Sequence, residues 1–135
     1  LSKGERRDYG FRVRTMAAAR HEQAFLVHVR DRIIPLHREQ IAYCYTSNER
    51  VTAYGHDGAA YPLDRTLETL QSLLPEQDFF RANRQFIISR NAIKDIDLWF
   101  GSRLSVNLTL AVPERIIISK TKTPIFKKWI LREEE

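Results

Sequence analysis

The chain has 135 residues, 43% of them hydrophobic, with a formal net charge of +5 and a pI near 9.6. That length suits one domain that buries a core without disulfides or metal, and the composition excludes a disordered tail. The longest apolar runs, such as "AFLV" and "RIIIS", are strand-sized, short of the ~18–20 residues of a membrane helix, and "LSKGERRDYGFRVR" lacks the apolar segment of a signal peptide.

In chain order, residues 1–23 show no strong periodicity and read as a linker or arm, with a frayed strand at "FRVRT"; the domain is expected over 24–135. A start at Leu1 rather than Met suggests a piece of a longer protein. Short β-branched and aromatic runs follow at 25–30, 32–37, 41–46, 50–55 and 60–63, separated by the turns "DR", "SNER" and "HDGA". These are linked hairpins, with Gly58 available for a positive φ. In "PLDRTLETLQSLLPEQ" the period becomes helical: Leu63, Leu67, Leu70 and Leu74 line up, Asp64 is the expected cap, and Pro75 marks the end. Strands are expected again near 84–88, 93–100, 103–110 and 115–119, with "FGSR" as a turn. Thr123 and Pro124 should open a last helix whose apolar face is Ile125, Phe126, Trp129 and Ile130. The fold class is mostly β, a β-rich α+β domain of packed antiparallel sheets, sandwich-like, with one mid-chain and one C-terminal helix.

Catalytic chemistry finds little footing, and no enzyme is expected. The five glycines form no phosphate loop. His21, His28, His37 and His56 have no metal-ligand spacing, and the single Cys44 can neither form an internal disulfide nor anchor zinc, so no cofactor is expected and a reducing cytoplasm is the expected compartment. Asp95 and Asp97 alternate along a strand, as solvated acids or partners for arginines would. No Ser lies in a nucleophile elbow.

The basic residues are more telling. "FFRANRQFIISRNAIKDI" sets Arg81, Arg84, Arg90 and Lys94 among core-type residues, and 115–132 holds Arg115, Lys120, Lys122, Lys127, Lys128 and Arg132 with no acid. Phe80, Ala82, Phe86 and Ile88 share one strand parity, and so does Arg84. A guanidinium does not stay unpaired in an apolar row. The backbone must therefore turn near Arg84 and let it project, whereas Arg81, flanked by Phe80 and Ala82, reads as structural or phosphate-facing.

The order "IAYCYTSNERVTAYGHDGAAYPLDRTLETLQSLL", "FFRANRQFIISRNAIKDI", "IIISKTKTPIFKKWI" resembles the LytTR family of bacterial DNA-binding domains over roughly residues 25–131. The resemblance implies a β-rich fold that inserts loops into double-stranded DNA, no membrane, and a place behind a phosphorylatable receiver domain of the same full-length chain in a two-component response regulator. It also implies homodimers on paired direct-repeat elements. Three segments then carry candidate DNA contacts: Asn48, Glu49 and Arg50 in one turn; Asn83 and Arg84 in the next; Ser119, Lys120, Thr121 and Lys122 before the last helix. Lys and Arg would supply affinity through counterion release, and side chains at the groove edge would read bases. Glu49 departs from that chemistry unless it accepts from a cytosine amine. Lys127 and Lys128 would meet phosphate or water. A basic β-rich protein-interaction or RNA-binding module without DNA sequence specificity remains the alternative; RNA would need exposed aromatics such as Tyr43, Tyr45 and Tyr54.

Overall fold

A computed structural model of the chain describes residues 24–132; the expected arm, with its strand at "FRVRT", lies outside them. The described elements are β1 (Ala24–Val29), β2 (Arg32–His37), β3 (Ile41–Ser47), β4 (Arg50–Gly55), β5 (Ala60–Leu63), α1 (Leu67–Leu73), β6 (Phe79–Arg81), β7 (Phe86–Ser89), β8 (Ile93–Trp99), β9 (Arg103–Leu108), β10 (Ile116–Ile118) and α2 (Thr123–Leu131). Every strand pairing among them is antiparallel. The strands form a five-stranded sheet ordered β5-β4-β3-β7-β6, a three-stranded sheet β10-β9-β8 and the hairpin β1-β2.

The sequence explains the turns. Asn48 (φ 53°) and Glu49 (φ 62°) form a two-residue connection with both central residues left-handed, and Ser47 pairs with Arg50 across it. Such a turn matches the twist of the strands it joins, and Asn tolerates the conformation well. Gly58 takes φ 89° between β4 and β5, where its N–H donates to the Gly55 carbonyl (2.9 Å). The first hairpin turns at Arg30 (φ 57°) and Asp31, one residue earlier than expected.

Alternation then decides the layers. All four residues of β7 are buried, because the five-stranded sheet is covered on both faces. On one side Ala42, Tyr43, Phe86 and Ile88 pack against Leu104, Val106 and Ile118 of the three-stranded sheet and against Phe126 and Trp129 of α2. On the other, Cys44, Ala53 and Ile87 meet Phe25, Val27 and Leu36 of the first hairpin and Leu67, Leu70 and Leu74 around α1. Each fully buried Phe, Leu or Ile contributes roughly 1.5–3 kcal/mol, so two clusters on opposite faces fix the register of the central sheet. The sandwich-like expectation therefore resolves into three layers, with sheet and helix on both sides of a central sheet.

Three expectations need correction. The cap of α1 is Thr66, whose Oγ1 accepts from the Thr69 N–H (3.1 Å), and not Asp64. Leu63 is still paired with Val51 in β5, so residues 64–66 are needed to turn from strand to helix. Helix α2 has Lys122 at its cap position, not Thr123. The Thr123 hydroxyl instead points back, donating to the Ser119 and Ser102 carbonyls. Finally, Ile125 is 57% exposed: Phe126 and Trp129 face the core at helical spacing, which turns residue 125 outward.

Candidate nucleic-acid interface

The second candidate segment is a short loop, residues 82–85, between β6 and β7. The Ala82 N–H donates to the Phe86 carbonyl (3.0 Å), closing the hairpin, and Ala82 is fully buried. The Asn83 side chain locks the inside of the loop: its Oδ1 accepts from the N–H groups of Gln85 (2.8 Å) and Phe86 (3.1 Å), and its Nδ2 donates to the Ile117 carbonyl of β10 (2.9 Å). Arg81 locks the outside. Its Nε donates to the Asn83 carbonyl (2.7 Å) and Nη2 to the Arg84 carbonyl (3.0 Å), while the guanidinium also reaches Gln71 and Glu68 on α1. The carboxyl of Glu68, accepting from its own backbone N–H and from Arg81, is held below the usual carboxylate range. With its backbone so held, Arg84 projects outward, exposed, and no described residue bonds to its guanidinium.

The third segment is equally constrained. The Ser119 carbonyl accepts from the N–H groups of Lys122 and Thr123, and Ser119 Oγ accepts from Lys122 N–H (3.2 Å). Lys120 and Thr121 stand exposed at the tip of this turn. Lys122 folds inward: Nζ donates to the Arg81 carbonyl (2.9 Å), tying the turn to β6. Partial burial, and then the nearby Arg81 charge, hold its ammonium below the usual lysine range.

Arg84 stands where the three segments meet. One groove is lined by Arg81, Asn83, Arg84, Arg103, Ser119 and Lys122, with no acid among its lining residues. A second runs from Arg84 to the first turn, past Thr46, Glu49, Arg65, Glu68 and Arg81. Asn48, Arg50, Lys120 and Thr121 are exposed beside these grooves but do not line them. The acid-free groove is suited to an anion such as phosphate, and at Glu49 and Glu68 the face becomes mixed.

Other chemistry recedes. Among the described residues no group of three or more His, Cys, Asp or Glu is arranged to hold a metal, and His21 lies outside them. Burial pushes the Cys44 thiol up to about 12. The amide of Asn107 donates to both Asp95 (2.7 Å) and Asp97 (2.9 Å). Tyr43 is 1% exposed and stacked on Tyr54 (4.6 Å between ring centres), and with Tyr45 it packs against Phe86; burial raises its phenol to about 12. Tyr43 is therefore closed to base stacking, while Tyr45 and Tyr54 are half-buried. No helix among the described residues is long and apolar enough to cross a membrane.

A family model described as the LytTr DNA-binding domain matches residues 31–131. The chain belongs to the LytTR family. It is 30% identical over 111 residues to the sensory transduction protein LytT of Bacillus subtilis strain 168, covering 82% of this chain and 44% of that protein. With LytT of Enterococcus faecalis V583 the identity is 29% over 106 residues, covering 78% and 43%. The chain thus spans less than half the length of these relatives. Its fold matches a solved Bacillus cereus chain described as a LytTr DNA-binding domain, with a TM-score of 0.70 at 21% identity over 82% of this chain and 99% of that one. The LytTR family is one of DNA-binding domains and not a catalytic one.

In this LytTR domain one cation of the acid-free groove escaped the sequence: Arg103, the first residue of β9. It was legible only as the end of the turn "FGSR". Gly101 (φ 68°) and Ser102 (φ 63°) bend the chain so that Arg103 Nε donates to the Phe100 carbonyl (2.8 Å), leaving the rest of its guanidinium beside Ser119 and Arg84. Arg90 shows the opposite. Its guanidinium lies 4.2 Å from the Trp129 ring centre and donates to the Gln77 and Ile130 carbonyls, so it is a brace between β7 and α2.

Proposed function

We propose that this domain binds double-stranded DNA in a sequence-specific manner, as the output domain of a two-component response regulator that controls transcription. The acid-free groove between the second and third segments carries the proposal: it places Arg84, Arg103 and Ser119 on one continuous basic face. In this proposal Arg84 and Lys120 read bases, with Asn48, Arg50 and Thr121 alongside, and Glu49 accepts from a cytosine amine. Asn83 and Lys122 serve from within, because their side chains already hold the loops, while the exposed Ser119 keeps its hydroxyl proton to donate to phosphate. Arg103 adds phosphate contact. A good bidentate base contact discriminates by roughly 1–3 kcal/mol, so a few per domain suffice when two domains bind side by side on direct-repeat elements as a homodimer. In this proposal a receiver domain lies in the same full-length protein, which acts in the cytoplasm; the likeness to LytT, named as a sensory transduction protein, supports the signalling context.

Selection from a random duplex library near physiological salt tests this. The expected outcome is a direct-repeat motif bound at least ~10³-fold more tightly than a scrambled duplex. Absence of enrichment, with binding that vanishes as salt rises, would reduce the interaction to counterion release and overturn the proposal.

A further inference from the structure

Adjoining the acid-free groove lies a further cleft of about 650 Å³, open between the end of α1 and α2. Its volume falls in the range of small-ligand sites. The floor is apolar, with Phe80 and Trp129 in a cluster of rings that includes Phe126 (Phe80–Trp129 5.2 Å between centres). Around it stand four cations, Arg81, Lys122, Lys128 and Arg132, against one acid, Glu76. Among the described residues no carboxylate pairs with Lys122, Lys128 or Arg132. An apolar floor beneath a rim on which three of four cations have no carboxylate partner among the described residues is complementary to one chemical class: a small molecule with a ring or short acyl body and one anionic group.

The cleft is not separate from the DNA-facing groove. Gln71, Arg81 and Lys122 line both. Arg81 holds the loop carrying Arg84, and Lys122 ties the turn carrying Lys120 to the Arg81 carbonyl. An anion that draws the Lys122 ammonium or the Arg81 guanidinium toward the cleft must compete with those bonds.

We infer that the cleft between α1 and α2 binds a small amphipathic organic anion, and that its occupancy is felt at the DNA-facing loops through Arg81 and Lys122. The site goes beyond DNA recognition, and only the second half of the inference rests on it. The first arm of the test uses no DNA: the whole chain is titrated with 8-anilinonaphthalene-1-sulfonate, followed by fluorescence, with octanoate as competitor. The expected result is saturable one-to-one binding, displaced by octanoate and weakened at least tenfold by Lys128→Glu. Lys127→Glu, the same charge change one residue away and outside the cleft, should alter it less than twofold. Equal losses in the two variants, or no saturable binding, would overturn the site. Binding that emerges only after removal of Glu133, Glu134 and Glu135 would assign the cleft to the chain's own acidic end and overturn the ligand. In the second arm, saturating probe should change affinity for the selected duplex at least threefold, with the duplex changing probe affinity by the same factor. Probe binding that leaves DNA affinity unchanged would overturn the link through Arg81 and Lys122.

Discussion

Asn83 and Arg84 are neighbours in one loop and both are DNA-contact candidates by residue type, yet the structure gives them opposite duties. Replacing Asn83 by Ala removes three hydrogen bonds: two that shape the loop through Gln85 and Phe86, and one that joins it to Ile117 of β10. At about 0.5–1.5 kcal/mol each, the loss of folding stability comes to about 3 kcal/mol, since Phe86 is fully buried and its N–H loses the Asn83 acceptor. Arg84→Ala removes no intramolecular bond among the described residues and should change stability by less than about 0.5 kcal/mol. Urea unfolding followed by tryptophan fluorescence separates them: the midpoint for Asn83→Ala should fall by roughly 1–2 M, that for Arg84→Ala hardly at all. On DNA the order reverses. Arg84→Ala should weaken the cognate duplex by roughly 1–3 kcal/mol, with a relaxed preference at one position. Asn83→Asp keeps the two loop acceptors but sets a carboxylate against the Ile117 carbonyl, so it should not restore stability. Equal unfolding midpoints for Asn83→Ala and Arg84→Ala would refute the division of labour.

Further outcomes follow from the same geometry. Thr66→Ala should cost about 1 kcal/mol in urea unfolding through the lost α1 cap, while Asp64→Ala should stay within about 0.5 kcal/mol; the reverse order would restore the cap expected from sequence. Lys120→Ala should weaken cognate DNA by roughly 1–3 kcal/mol and relax sequence preference locally, whereas Lys128→Ala should act evenly across sequences and flatten the salt dependence, both read by affinity on cognate and random duplexes at several salt concentrations. Tyr43 titrates near 12 in the folded chain against an ordinary value of 10.0. The folded state therefore holds that proton more tightly, so this contribution to stability is complete below pH 10 and is lost as pH rises toward 12; Tyr43→Phe should flatten that part of the unfolding profile. Cys44, buried and raised to about 12, should react with a thiol reagent at pH 8 only at the rate of unfolding, and immediate reaction in native buffer would contradict its burial.

Local periodicity carried most of the element boundaries. The runs at 32–37, 50–55 and 60–63 are the observed β2, β4 and β5, because alternation and turn residues act within a few positions of the chain. Parity within "FFRANRQF" was enough to require a turn at Arg84: a lone guanidinium cannot share an apolar row, and the loop at 82–85 is the result. The order of three stretches, 41–74, 79–96 and 116–130, carried the LytTR family as well.

What the linear sequence left undecided was which polar atoms are already taken. Asn83 and Lys122 are chemically fit to meet DNA, and only the arrival of Ile117 and Arg81 from distant strands turns them inward. Arg103 joins the basic groove because a β8–β9 turn and a β6–β7 loop converge, a coincidence with no local signature. The covering of the central sheet on both faces is likewise a property of assembly. Alternation fixes which side chains share a face. Which layer will cover that face depends on the whole chain, since burial is won only when distant segments meet.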